Sequence, residues 1–269
     1  MMMRPVSCWL VGCWLGFMGA SAYSGVTPLV QVPRHLVPVQ IPYAPPPEPE
    51  FPEIEKATPG PTELTEAELK RAEALLPLLE GRQELYVIGE FVHLGKPVVP
   101  ILVKALTMPS PRVRYNAIET LSIIKDSQAV PDLLKSATNT EEMTRVRAHA
   151  LRVAVKLDPS QVLPALRALV KDQSDTMRRT VAFEARHVRH KEVPSVLIDL
   201  LADSKRYVSV TALESFLKLT RYAGKPHDWQ GSTQEQRKQW AQEWRDWWEA
   251  RLKEVEPRQK KEKSDEPVS

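Results

Sequence analysis

"VVPILVKALTMPSPRVRYNAIETLSII", residues 98–124, contains one complete structural unit. Pro100 lies near the start of an apolar segment, where the first turn of a helix tolerates a residue without an N–H group. A polar turn follows at 107–111, and a second segment then carries apolar residues at helical spacing, including Val113, Ala117 and Leu121. The stretch therefore predicts two helices joined by a tight turn.

The same pattern recurs three more times along the chain. It reappears at 129–155, 162–188 and 192–219, and a degenerate copy at 68–95 precedes the first unit. The shared prolines are Pro100, Pro131, Pro164 and Pro194, which are spaced by 31, 33 and 30 residues. Because a repeat of this length is typical of stacked helix pairs, the sequence predicts an all-α solenoid of about five pairs over residues 63–224.

The repeated motif is V-P-x-L-x-x-L, then a polar turn, then V-R-x-x-A-L-x-x-L. It resembles HEAT repeats of the short bacterial, PBS-lyase-like class, which have an armadillo-type fold. The valine-arginine position of that motif is occupied by Val113-Arg114, Val146-Arg147, Met177-Arg178 and, departing from it, Val208-Ser209. The resemblance implies an α-α superhelix whose second helices line a concave surface. It implies little about function, because this architecture serves many tasks.

Four tryptophans are concentrated in "QWAQEWRDWWEAR", residues 239–251. On a helical wheel they occupy a sector of about 100°, and together they could bury ~600–1,000 Å². An exposed patch of that size needs a cover, and the end of a repeat array needs a cap. We therefore expect a C-terminal, Trp-rich capping helix within 225–256, a charged disordered tail at 257–269, and a partner surface or glycan-stacking platform as the alternative. The predicted cap residues are Trp229, Trp240, Trp244, Trp247 and Trp248.

The first 62 residues have the composition of a targeting sequence followed by a spacer. Arg4 is followed by an apolar run and by Ala20-Ser21-Ala22, which together are typical of a secretory signal peptide at 1–22. One alternative is "LVGC" at 10–13, which resembles the lipobox of bacterial lipoproteins and makes Cys13 a lipidation candidate. The other is that the apolar run remains as an uncleaved anchor. Residues 23–62 are rich in proline and are expected to form a disordered tether. The sequence thus predicts export to the periplasm or cell envelope, with a membrane contact only through this N-terminal anchor.

Basic residues suggest a binding groove within the predicted solenoid. The chain carries a net charge of +3, which is too balanced to indicate a nucleic-acid partner. On a predicted helix at 176–190, however, several arginines share one face, and Arg147 of the preceding unit joins them. The candidate binding residues are Arg147, Arg178, Arg179, Arg186 and Arg189. The alternatives are a solvated face, or the pairing of the motif arginine with an aspartate in a neighbouring turn, which the resemblance implies.

The sequence offers no catalytic constellation. His187 and His190 are three residues apart and Glu184 or Glu192 lies nearby, but two histidines are too few for a metal site. The chain lacks a nucleophile elbow, a phosphate loop and the His-Glu pairs of HEAT-type iron hydroxylases. We therefore expect a scaffold that binds another protein and is not an enzyme, with no cofactor, no metal and no nucleic acid. The alternative is an envelope module for a glycan or an anionic polymer.

Overall fold

The computed structural model describes residues 63–222, 227–229 and 231–264, with side chains as far as residue 253. The predicted signal peptide, the lipobox with Cys13 and the proline-rich tether at 23–62 lie outside the described residues. Within them the protein is a HEAT-like α-solenoid, as the sequence predicted. The described part of the chain contains eleven α-helices and no strand.

The helices follow the predicted units. Their bounds are α1 Glu66–Leu75, α2 Glu84–Leu94, α3 Val99–Ala105, α4 Pro111–Ile124, α5 Val130–Thr138, α6 Thr144–Leu157, α7 Leu163–Leu169, α8 Asp175–Glu184, α9 Val193–Leu201, α10 Arg206–Thr220 and α11 Gln234–Ser264. The first ten form five consecutive pairs. Short 3-10 turns at Lys96–Val98, Ser127–Ala129 and Pro159–Gln161 lead into three of the first helices.

The helices are arranged in two layers. The second helices of the pairs, α2, α4, α6, α8 and α10, pack against one another in chain order, and α5, α7 and α9 do the same on the other side. Buried Ala, Val and Leu side chains fill the space between the layers from Ala72 to Phe216. Each repeat therefore buries its apolar face only by stacking on its neighbours.

Local sequence sets the ends of several helices. Ser110 and Ser174 cap α4 and α8 by accepting a hydrogen bond from the backbone N–H three residues later. Lys125 and Arg221 end α4 and α10 in the left-handed conformation, with φ of 59° and 51°. The backbone N–H of each residue donates to the carbonyl four residues earlier, Leu121 and Leu217, which closes the last turn of its helix.

Helix α11 packs against α9 at the end of the solenoid. It begins after Thr233, which forms a reciprocal capping box with Gln236 at distances of 2.8 and 3.2 Å. The helix continues through residues 257–264, where the sequence had suggested a disordered tail. The residues after Pro257 include glutamine, lysine and glutamate, which favour helix, whereas Pro257 itself removes one backbone N–H donor from the helix.

No described helix is by itself both long and apolar enough to cross a membrane. The pair Glu84–Leu94 and Lys96–Ala105 meets that test only when joined, and it is bent by 114°.

Candidate binding surface of the second helices

One face of the solenoid is formed by the exposed sides of α4, α6, α8 and α10, which we call the second-helix surface. Three arginine–aromatic pairs lie along it. The guanidinium carbon stands above the ring at 4.7, 6.0 and 4.1 Å from its centroid in Arg145–Tyr115, Arg179–Tyr207 and Arg186–Phe183. Phe183 and Tyr207 remain 46% and 44% exposed. The surface therefore presents large rings held in place by cations.

A cavity of about 630 Å³, with both polar and apolar lining, lies between α4, α6 and α8 on this surface. Buried His149 stacks on Tyr115 with 4.3 Å between ring centroids, and its Nε2 lies 3.0 Å from Glu119 Oε2. Burial lowers the pKa of His149, Glu119 acts against that shift, and Arg152 and Arg145 add to it. The imidazole is consequently held neutral more strongly than an exposed one.

Glu184 lines the same cavity from the end of α8. Its side chain is buried, and burial raises its pKa, although Arg152 and Arg186 oppose the shift. The Arg152 Nε lies 3.7 Å from Glu184 Oε1. Among the described residues, no group of three or more His, Cys, Asp or Glu side chains is arranged to hold a metal ion. The cavity thus offers polar donors and acceptors to a bound side chain.

The motif arginines are engaged between repeats. Three arginines each meet a carboxylate 25 to 28 residues later, in the pairs Arg114–Glu142, Arg147–Asp172 and Arg178–Asp203. Each guanidinium also donates to backbone carbonyls, those of Met108, Ala137 and Asp172 respectively. These contacts form what we call the arginine ladder.

The prediction that Arg147 and Arg178 bind a partner in the groove is corrected by these contacts. Arg147 and its partner Asp172 are both 5% exposed, and Arg178 and Asp203 are 14% and 6% exposed. Nearly all the donors of these guanidinium groups are directed into the protein. Arg147 and Arg178 are therefore structural residues, in line with the alternative of pairing between turns, and are not free to bind a groove partner.

The other candidate arginines are placed differently. Arg179 and Arg189 are exposed, and the partly buried Arg186 donates from Nε to Ser215 Oγ at 3.1 Å. The predicted helix at 176–190 is shorter than expected, because α8 ends at Glu184 and a 3-10 turn follows to His187. Arg189 and His190 therefore do not share a helix face with Arg178.

The two histidines at this turn do not form a site with Glu184 or Glu192. His187 is exposed and its pKa is lowered, first by burial of part of the ring and then by Lys218 and Arg186. His190 accepts a hydrogen bond at Nδ1 from the backbone N–H of Glu192 at 3.2 Å. Each histidine therefore makes separate local contacts.

The tryptophans gather at the junction of α11 with the last pair. Trp229 and Trp244 are buried, whereas Trp240, Trp247 and Trp248 are partly exposed. Trp244 meets Phe216 edge-on at 4.7 Å between centroids and Tyr222 at 4.5 Å. Trp240 lies 5.1 Å from Trp229 and stacks on His227 at 4.4 Å. Most of the stripe is thus in contact with the end of the solenoid.

Several residues of the surface had no distinguishing signal in the sequence. Tyr115, Glu119 and His149 belong to two different repeats, and only the stacking of α4 on α6 brings them together. A sequence match agrees with this architecture: residues 84–145 match the family model described as HEAT repeats. The matched region runs from the start of α2 into α6. No curated protein matches the chain.

Proposed function

We propose that the protein is a non-catalytic scaffold that binds another protein on its second-helix surface. The observation that supports this most directly is the row of three arginine–aromatic pairs. Tyrosine, phenylalanine and arginine are enriched in protein interfaces, where a few such side chains carry most of the binding energy. Stacking of the guanidinium on the ring restricts both groups before binding, which lowers the entropic cost of association.

The repeat architecture supports the same proposal. Solenoids present extended surfaces built from successive repeats, and these surfaces are commonly used to hold partners. Here Tyr115 stacks on His149, which lines the cavity, and Phe183 lines the same cavity directly. A partner with apolar side chains for the rings and polar groups for the cavity would contact all four helices. We expect an acidic or neutral segment, because each ring carries an arginine.

We place this scaffold in the cell envelope. The proposal rests on the sequence of residues 1–22, with its apolar run and Ala20-Ser21-Ala22, and on the proline-rich residues 23–62. In this proposal the tether separates the solenoid from a membrane anchor or from the site of cleavage. Mass measurement of protein from its native host should give either a chain starting at Tyr23 or a lipidated Cys13. A mature chain that retains Met1 contradicts export.

The scaffold proposal is tested by affinity capture from an extract of the source cells, quantified by mass spectrometry. The variant is the double substitution Phe183→Ala with Tyr207→Ala, which removes two half-exposed rings of the row. The matched control is Leu69→Ala with Leu78→Ala, because these residues of the first pair are exposed to a similar extent, 39% and 41%. Both proteins should keep the helicity of the native chain.

The expected result is loss of one or a few proteins by the ring variant and their full recovery by the control. The second-helix surface contributes nothing if both variants recover the same set in the same amounts.

A further inference from the structure

A second cavity, of about 540 Å³, lies where the turn after α8, the end of α10 and the helix α11 meet. Its lining is strongly basic. Six arginine and lysine residues face it: Arg186, Arg189, Lys191, Lys218, Arg221 and Arg251. No described residue of the lining carries a carboxylate. We call this cavity the basic pocket.

Two residues that line the basic pocket each carry a buried N–H donor without a hydrogen-bond acceptor among the described residues. The donors are Arg186 Nη2 and Trp248 Nε1. The nearest carboxylate oxygen to the first, Glu214 Oε2, lies 3.9 Å away on a largely exposed side chain. A buried donor without an acceptor is costly, and native structures rarely retain one. Two such donors on residues that line one basic cavity indicate a site for a ligand that accepts hydrogen bonds.

Arg186 is held in position before any ligand arrives. Its Nε donates to Ser215 Oγ at 3.1 Å, and its guanidinium carbon lies 4.1 Å from the Phe183 ring centroid. Its Nη2 is buried and still lacks an acceptor among the described residues. Burial is the largest cause of the lowered pKa of the adjoining His187, and the positive charges of Lys218 and Arg186 lower it further. The Arg186 guanidinium is therefore preorganised in a region of positive potential.

The chemistry of the lining selects the class of ligand. Arg189, Lys218 and Arg221 all face this one cavity. Like charges repel, and a ligand with more than one negative charge relieves that repulsion. A phosphoryl group combines this charge with several acceptor oxygens and suits the planar donor fork of arginine. The volume is within the range of about 300–1,000 Å³ typical of small-molecule sites. Val188, Pro194 and Leu219 add an apolar wall beside these charges.

We propose that the basic pocket binds a phosphoryl-bearing ligand, with Arg186 and Trp248 donating to its oxygens and Arg189 and Lys218 balancing its charge. The ligand is either a small soluble phosphate ester or the headgroup of an anionic phospholipid. The two sources share the same recognised group. This site adjoins the second-helix surface, because Arg186 also stacks on Phe183 of the arginine–aromatic row. Lys218, Arg189 and Trp248 belong to the pocket and not to the row.

The test measures binding of pyrophosphate to the full chain by titration calorimetry at about 0.15 M salt, where long-range attraction is screened. A parallel arm measures co-sedimentation with vesicles of phosphatidylglycerol and of phosphatidylcholine. The variant is Arg186→Gln with Lys218→Gln, and the charge-matched control is Arg179→Gln with Arg206→Gln, two arginines outside the pocket. Trp248→Phe keeps a ring and removes the indole donor. Circular dichroism confirms that each variant is folded.

We expect saturable binding of pyrophosphate with one site per chain. The pocket variant should lose at least about tenfold in affinity, since it loses charge-assisted hydrogen bonds, Trp248→Phe should lose less, and the control should stay within about twofold. Vesicle binding that pyrophosphate competes away, and that the pocket variant loses, assigns the ligand to a lipid headgroup. Pyrophosphate binding without such vesicle binding assigns it to a soluble ester.

Either of two results overturns the proposal. One is the absence of both saturable pyrophosphate binding and competed vesicle binding. The other is an equal loss in the pocket variant and the control, which means that total charge alone decides binding. The N-terminal apolar segment is identical in all these proteins, so it cannot account for a difference between them.

Discussion

Trp229 donates its indole N–H to the hydroxyl of Ser209 across 2.6 Å in the buried end of the solenoid. Ser209 stands at the motif position that Arg114, Arg147 and Arg178 occupy in the three preceding units. Its own hydroxyl donates to the carbonyl of Leu201. The small serine leaves room for the ring of Trp229 where an arginine would otherwise lie. The departure from the repeat motif is thus explained by the element that follows the last repeat.

A guanidinium of α11 also contacts the last pair of the arginine ladder, Arg178–Asp203. Arg237 is buried and donates to the carbonyls of Ser232 at 3.0 Å and Asp203 at 3.1 Å. Asp203 is also the carboxylate partner of Arg178. Helix α11 therefore supplies the arginine contact that the last helix pair lacks, which connects the cap to the same network as the repeats.

Two substitutions of Trp229 should distinguish how much its hydrogen bond and how much its ring contribute to the free energy of unfolding. Trp229→Phe keeps most of the ring contacts and should lower the free energy of unfolding by about 1–2 kcal/mol, the cost of one buried hydrogen bond. Trp229→Ala should cost about 3–5 kcal/mol, because it also leaves a cavity. Trp247→Phe, at a partly exposed ring, is the matched control. Urea unfolding followed by circular dichroism measures all three, and a Trp229→Phe protein as stable as wild type contradicts a contribution from the bond.

Breaking one arginine–carboxylate pair of the arginine ladder should destabilise the protein far more than breaking an exposed ion pair. Arg147→Met leaves Asp172 buried without its partner and should cost about 3–5 kcal/mol. Joining it with Asp172→Leu should recover much of that loss, because the unpaired charge is gone. The control is Lys70→Met, which removes an exposed pair with Glu66 and should cost less than about 1 kcal/mol. Equal losses in the single and double variants would mean that packing of Arg147, and not its charge, is what matters.

The sequence predicted the repeats well because each unit carries its own local signals. The recurring prolines, the apolar spacing and the polar turns were enough to place five helix pairs. The predicted helix at 176–190 was too long, because neither glycine nor proline marks the end of α8 at Glu184. The cavity of His149 and the basic pocket could not be predicted, since their side chains come from different repeats and meet only through stacking.

The buried imidazole of His149 should make stability depend on pH. Its folded pKa lies below the ordinary value of 6.5, so the unfolded chain takes up the proton first as the pH falls. Protonation therefore favours unfolding, and this contribution to stability is lost between 6.5 and the lowered folded pKa. Glu184 acts with the opposite sign. Burial raises its folded pKa above 4.5, so a fall in pH from that folded pKa towards 4.5 favours the folded state.

Thermal melts at about pH 7.5 and about pH 5.5 test this dependence, because histidine titrates in that range. His149→Phe retains a ring to stack on Tyr115 and removes the titrating group, so its melting temperature should fall less on acidification than that of wild type. His190→Phe, at an exposed histidine, should behave like wild type. A fall as large in His149→Phe as in wild type excludes His149 as its source.

The contact between Trp244 and Phe216 predicts that α11 holds the end of the solenoid closed. Trp244 is buried and its ring lies within 4.7 Å of two aromatic neighbours. Burying ~200 Å² of apolar surface contributes at most about 5 kcal/mol. Trp244→Ala should therefore lower the free energy of unfolding by roughly 3–5 kcal/mol. Glu249→Ala, at an exposed site on the same helix, is the control and should melt like wild type.

Truncation before Gln234 should be more damaging than the point substitution. It removes the cover of Phe216 and the guanidinium of Arg237, so the shortened chain should melt at a lower temperature and aggregate. Truncation after Lys253 keeps both contacts and is the matched control. If the tryptophans instead serve as a partner surface, the shorter chain should remain a soluble monomer with an unchanged melting temperature and lose only binding. Thermal melts combined with size-exclusion chromatography distinguish the two, because only a cap makes the fold itself depend on α11.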